Sequence, residues 1–126
     1  MIGFSGTYHI SIDEKGRINV PAKIKTTLEQ KYDADLVMYV KDKYIAIFPE
    51  KEWLVNVEKY NHLNAFEDEG RETLRKLYAQ AEECKIRSGK ILIPAALRER
   101  VHLSRETVLV GVNTSFEIWP KDSWEE

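Results

Sequence analysis

Gly16-Arg17-Ile18-Asn19-Val20-Pro21-Ala22-Lys23-Ile24-Lys25 returns 73 positions later as Gly89-Lys90-Ile91-Leu92-Ile93-Pro94-Ala95-Ala96-Leu97-Arg98. Ile47-Phe48-Pro49-Glu50-Lys51-Glu52-Trp53 returns 71 positions later as Ile118-Trp119-Pro120-Lys121-Asp122-Ser123-Trp124. Two matched blocks, in the same order and at nearly the same offset, mark a duplicated half-unit. A duplicated unit builds a pseudo-twofold body and presents any binding loop twice.

Working outward from the first block, Tyr8, Ile10 and Ile12 alternate with His9 and Ser11, the period of a half-buried strand. Asp13-Glu14-Lys15-Gly16 reads as a turn, with Gly16 free to take positive φ. Ile18 and Val20 resume the alternation, so Thr7 to Val20 is predicted as a hairpin. Pro21 suits the first turn of a helix carrying Ile24 and Leu28 on one face. Leu36 to Val40 and Tyr44 to Phe48 form a second hairpin around Lys41-Asp42-Lys43. Each half is therefore β-β-α-β-β. In the second copy Ile91 to Ile93 is a strand, Pro94 to Val101 a helix, and Val108 to Val112 with Phe116 to Trp119 the closing hairpin.

The copies are joined by a helical connector. Trp53, Val57 and Tyr60 share one face, Asn61 to Asn64 reads as a break, and Leu74, Leu77, Tyr78 and Ala81 make a second stripe. Glu67, Asp68 and Glu69 fall in its first turn, where the helix dipole favours acids. These stripes are packing faces, with contact to a neighbouring subunit as a second use. The predicted fold is α+β: one domain, 1–126, with half-repeats at 5–53 and 84–126 and a connector at 54–83.

Composition narrows the function. The 126 residues suffice for one core. No apolar run approaches the ~18 residues of a membrane span, and the N-terminus has no signal-peptide pattern. The single cysteine, Cys84, excludes an internal disulfide and a multi-cysteine zinc site, and points to a cytosolic home. Net charge is −2, but from Glu50 to Glu83 acids outnumber bases nine to five, which leaves the repeated units mildly basic. His9, His62 and His102 lack metal-ligand spacing. Cys84 has no activating base beside it in sequence and reads as a small buried residue near a helix end. Trp53, Trp119 and Trp124 recur with the repeat and read as core or interface anchors. No cofactor, metal or catalytic constellation is expected.

The ordered set Asp13-Glu14-Lys15-Gly16-Arg17-Ile18-Asn19-Val20-Pro21, Cys84 followed by Ile91 to Arg98, Val108-Leu109-Val110-Gly111, and Phe116-Glu117-Ile118-Trp119 resembles the MraZ family over essentially the whole chain. The resemblance implies half-units like those of AbrB-type swapped-hairpin DNA-binding domains, with one chain supplying both halves of the barrel. It further implies a ring-shaped homo-oligomer in the cytoplasm, associated with the nucleoid. Such a ring acts as a sequence-specific repressor of its own division and cell-wall operon by binding direct repeats in promoter DNA. The second motif departs from the family: Cys84-Lys85-Ile86-Arg87-Ser88-Gly89-Lys90 is one residue short, its Asp is absent, and Lys90 stands for the expected Arg.

The candidate DNA-binding residues are Lys15 and Arg17 in the first copy and Arg87 and Lys90 in the second, with Asp13, Gly16 and Gly89 organising the turns. Arg can fork onto guanine O6 and N7, and Lys can contact phosphate or guanine. Arg17 has a second reading, an ion pair with Asp13 or Glu14, and Arg87 and Lys90 a second reading as a solvated turn. Lys23, Lys25, Arg98 and Arg100 lie on the short helices, solvated or reaching phosphate. The rival function is a ring-forming protein-interaction scaffold with weakened DNA binding, suggested by the net charge and the altered second turn.

Overall fold

The computed structural model describes residues 2–126. The first half runs β1 (Thr7–Ser11), β2 (Arg17–Asn19), α1 (Ala22–Lys31), β3 (Asp35–Lys41) and β4 (Tyr44–Pro49). The connector holds α2 (Glu50–Val57), a 3-10 turn (Glu58–Tyr60) and α3 (Asp68–Tyr78). The second half runs β5 (Ala81–Lys85), β6 (Lys90–Leu92), α4 (Ala95–Arg100), β7 (Glu106–Gly111) and β8 (Phe116–Pro120), and ends in α5 (Lys121–Glu125). All four prolines sit immediately before a helix, Pro21, Pro49, Pro94 and Pro120, with φ between −54° and −59°. The ring fixes the approach angle there and removes an N–H that a helix start cannot satisfy internally.

The halves interlock by exchanging strands. A six-stranded antiparallel sheet has the order β1-β7-β8-β4-β3-β5, and a separate two-stranded ribbon pairs β2 with β6. Exchanging each strand for its repeat equivalent reverses the six-strand order and leaves it unchanged, which is a pseudo-twofold arrangement. Its axis passes between Ile18 and Ile91, repeat equivalents that are also pairing partners. It passes again between Ala46 and Glu117, for the same reason. The β1–β7 register, Thr7↔Val110 to Ser11↔Glu106, is mirrored by β5–β3, Ala81↔Tyr39 to Lys85↔Asp35.

Three local expectations are corrected. The Thr7–Val20 segment reverses at its turn, but β1 and β2 share only the bridge Ile12↔Ile18 and then leave for β7 and β6. Turn chemistry dictates reversal, whereas ladder partners follow from burial across the whole body. Ala81 lies outside the connector helix, which stops at Tyr78, and begins strand β5. Cys84 is accordingly a half-buried strand residue facing Leu36, not a helix-end residue. A strand carrying Glu82, Glu83 and Lys85 in five residues has little hydrophobic alternation to announce it.

One core holds the two halves together. Ile18, Ile24, Ile45, Ile47, Ile91, Ile93 and Phe116 are fully buried in a cluster that also takes Leu28, Met38, Leu97 and Leu109. A smaller cluster of Val37, Trp53 and Val57 fastens the connector to the outer face of β3 and β4. There Trp53 sits 5.7 Å from Tyr39, 5.8 Å from Phe48 and 6.2 Å from Tyr78, ring centre to ring centre. The connector is covered far less elsewhere: Leu54, Val55, Phe66 and Tyr78 are exposed, Phe66 almost completely.

Candidate nucleic-acid interface

The two matched turns close by different means. In the first, Glu14, Lys15 and Gly16 form a three-residue loop between Asp13 and Arg17. The Asp13 N–H donates to Arg17 O (2.9 Å) and the Gly16 N–H to Asp13 O (3.0 Å), with Gly16 at φ 89°. One carboxylate organises the rest. Asp13 Oδ1 accepts the N–H groups of Lys15 and Arg17, each at 2.9 Å, and Oδ2 accepts Arg17 Nε at 2.9 Å. The second turn has no such carboxylate and is one residue shorter. Arg87 and Lys90 exchange both backbone bonds at 2.9 Å around Ser88 and Gly89. Ser88 (φ 51°) and Gly89 (φ 73°) are both left-handed, the signature of a tight two-residue hairpin turn. The missing residue and the missing Asp are thus one change, from an Asp-capped loop to a self-closing one.

The backbone N–H of Arg17 is the chief cause holding the Asp13 carboxyl below its usual 3.8, followed among the lowering contacts by the Arg17 guanidinium and the Lys15 N–H. A lowered folded-state value means that the carboxylate's stabilisation is fully present above the unfolded value and is lost as pH falls through the folded one. The Lys15 and Arg17 amide resonances are therefore expected to hold steady down to about pH 4 and shift together below it, in an NMR titration. A common midpoint above 3.8 would contradict this geometry.

Swapping places each turn on the helix of the other half. A Cβ on Gly16 would lie 2.9 Å from both Ile93 O and Arg98 Cζ, because Arg98 folds back to donate Nε–H to Ile93 O (3.0 Å). A Cβ on Gly89 would meet nothing closer than Lys25 Nζ, at 3.6 Å. Lys25 and Arg98 are repeat equivalents, so both turns are flanked by a helix cation, a role that their sequence positions alone did not disclose. Gly16→Ala is expected to cost the left-handed penalty of about 1–2 kcal/mol plus the clash. Gly89→Ala is expected to cost the left-handed penalty alone. Denaturant unfolding compares the two, and equal losses would rule out the tight packing around Gly16.

The β2–β6 ribbon carries the candidate side chains. Ile18 and Ile91 point into the core, so Arg17, Asn19, Lys90 and Leu92 point outward. A groove of about 610 Å3 brings Arg17, Arg87, Lys90 and Leu92 together, with Lys85 on one wall. Glu82 and Glu83 line the same groove and make its second-half side partly acidic. Lys15 stands apart from this group, exposed at the tip of the first turn. Among the described residues, no carboxylate pairs with Lys15, Arg87 or Lys90, whereas Lys85 pairs with Asp35 at 3.2 Å. Arg17 spends only Nε on Asp13, so the pair orients the guanidinium and leaves its Nη edge open. Asn19 and Leu92 were not singled out in the sequence, although the alternation Arg17-Ile18-Asn19 and its repeat Lys90-Ile91-Leu92 place them beside the cations.

The other titratable candidates lie elsewhere. Burial, followed by the charge of Glu82, pushes the Cys84 thiol up to about 12, which leaves it protonated and unreactive at neutral pH. Among the described residues, no group of three or more His, Cys, Asp or Glu could hold a metal. Among the described residues, no helix is long and apolar enough to cross a membrane.

A family model described as "MraZ protein, putative antitoxin-like" matches residues 3–76 and again 77–126. The chain belongs to the MraZ family. Two matches in tandem agree with the duplicated, interlocked halves of the fold. Among curated MraZ relatives, the chain is 36% identical over 124 residues to the transcriptional regulator MraZ of Moorella thermoacetica, spanning 98% of this chain and 85% of that one. It is 37% identical to that of Carboxydothermus hydrogenoformans (96% and 83%) and 35% identical to that of Pediococcus pentosaceus (98% and 85%). All three MraZ relatives are named as regulators of transcription, which is not an enzyme class.

Proposed function

We propose that this protein is a cytoplasmic, nucleoid-associated regulator of transcription that binds double-stranded promoter DNA through the β2–β6 ribbon and the first turn. The carrying observation is the swap itself. It lifts the basic residues of both repeats onto one two-stranded ribbon, the element that a DNA major groove admits. Arg17 and Lys90 share the ribbon's outward face, Arg87 lines the same groove from the second turn, and Lys15 stands at the neighbouring tip. In this role Asp13, Gly16 and Gly89 shape the turns, Arg17 reads a base with its open Nη edge, and Lys15 and Arg87 take phosphate or base contacts. The chain works as one domain, 1–126, in which the two half-repeats, the second taking in β5 from Ala81, build the DNA-binding body. The helices between them are left to other contacts.

One subunit offers few cations and a net charge of −2, so useful affinity requires several subunits on successive direct repeats. A ring-shaped homo-oligomer meets that requirement. Leu54, Val55, Phe66 and Tyr78 on the connector supply exposed apolar surface for subunit contacts. The target is the promoter of the protein's own division and cell-wall operon, which it represses. The test is a mobility shift on the DNA upstream of its gene, with Lys15→Ala and Arg17→Ala as controls. A shift that weakens in both variants supports the proposal. No shift even at low salt refutes it and favours the rival, a ring-forming interaction scaffold, for which the acidic Glu82-Glu83 wall is the favouring observation.

A further inference from the structure

The pseudo-twofold axis makes Arg17 the equivalent of Lys90 and Asn19 the equivalent of Leu92, both at the 73-residue offset. Beneath them Ile18 and Ile91 are alike and both fully buried. The scaffold is symmetric and the outward face is not. Arg17 stands directly opposite Leu92, and Asn19 directly opposite Lys90. Three of these four side chains can hydrogen-bond; Leu92 cannot, yet it is 52% exposed in the groove that Arg17, Arg87 and Lys90 line together with Glu82 and Glu83. A lone exposed leucine is ordinary on a protein surface. This one lies on the narrow ribbon that would enter the groove, across from the residue best suited to fork onto guanine.

The major groove offers a leucine one apolar partner, the C5 methyl of thymine. Directly opposed residues on an antiparallel pair have Cβ atoms about 5 Å apart, and successive bases on a strand are about 3.4 Å apart. Side chains in that relation meet neighbouring base pairs. Resting on the DNA-binding reading above, we infer that Leu92 is a specificity residue. It packs on a thymine methyl within two base pairs of the guanine held by Arg17. The ribbon therefore reads a non-palindromic element: guanine and thymine at the Arg17–Leu92 end, and a base or phosphate contacted by Asn19 and Lys90 at the other.

The test uses the full chain and DNA selected from a random pool by the wild-type protein. Each thymine of the selected site is then replaced singly by deoxyuridine, which removes the methyl and keeps every hydrogen-bonding group. One position within two base pairs of a guanine that Arg17→Ala no longer distinguishes is expected to lose about fourfold in affinity per contacted site. Leu92→Ser is expected to bind the thymine and uridine forms equally while melting as the wild type does. The inference is overturned if no uridine replacement matters to the wild type, or if Leu92→Ser keeps the thymine preference. If the wild type selects no sequence and Arg17→Ala binds as it does, the DNA-binding reading itself falls, and this inference with it.

Discussion

Arg17→Ala is expected to weaken operator binding by roughly 5- to 150-fold per contacted site, the worth of a bidentate Arg–guanine contact of about 1–3 kcal/mol. The geometry makes Arg17 the cation with most to lose. Asp13 holds its Nε at 2.9 Å, so the guanidinium is oriented before DNA arrives. Removing the side chain also leaves the Asp13 carboxylate facing the phosphates without its partner. Arg17→Lys is expected to recover little, because an ammonium keeps the charge and loses the planar fork. Lys90→Ala should cost less than Arg17→Ala for the same reason, although the two positions are equivalent in the repeat. Arg17 is 40% exposed in its side chain, so the variant should unfold within about 0.5 kcal/mol of the wild type. Fluorescence anisotropy on labelled operator checks the series. Binding by Arg17→Ala within twofold of wild type would remove the ribbon from the proposed interface.

An array of repeats is expected to bind about 10²- to 10⁴-fold more tightly than a single repeat. The gain needs no new contact, only subunits held at a spacing that matches the DNA. It should vanish when the spacing between repeats is changed by half a helical turn, since alternate readers would then face away from the groove. Affinity should also fall steeply with salt, with a slope that grows with the number of phosphates neutralised across the array. Sedimentation at the concentrations used for binding would show whether the free protein is already an oligomer. Equal affinity for one repeat and for several would defeat the linked-site account.

Much of the fold was readable because duplication repeats its own punctuation. The prolines before the helices and the Gly16/Gly89 turns recur at fixed offsets, and each fixes local φ or removes a backbone donor. Strand β5 escaped because its five residues hold three charged ones, and its two apolar residues, Ala81 and Cys84, lie on opposite faces. The repeat could have exposed it. With the second turn one residue shorter, Thr7–Ser11 maps onto Ala81–Lys85 at an offset of 74. The candidate site divided in the same way. Arg17, Arg87 and Lys90 stood out by their place beside turn glycines. Asn19 and Leu92 did not: the alternation about Ile18 and Ile91 puts them on the outward side, but only the pairing of β2 with β6 sets each opposite a cation of the other repeat.

By itself the sequence determined the duplication, the β-β-α-β-β order of the first half and all of the second but its first strand, the membership of a family and the inequality of the two turns. These rest on forces that act within a few residues: φ preferences, the period of apolar side chains and the chemistry of a turn carboxylate. Only the tertiary structure decided which strand pairs with which, and so that Arg17 faces Leu92 and that Arg98 locks the first turn. Any strand of suitable register satisfies the hydrogen bonds of another. The choice among partners comes from burying Ile18 against Ile91, residues 73 positions apart, in a core that neither half could close alone.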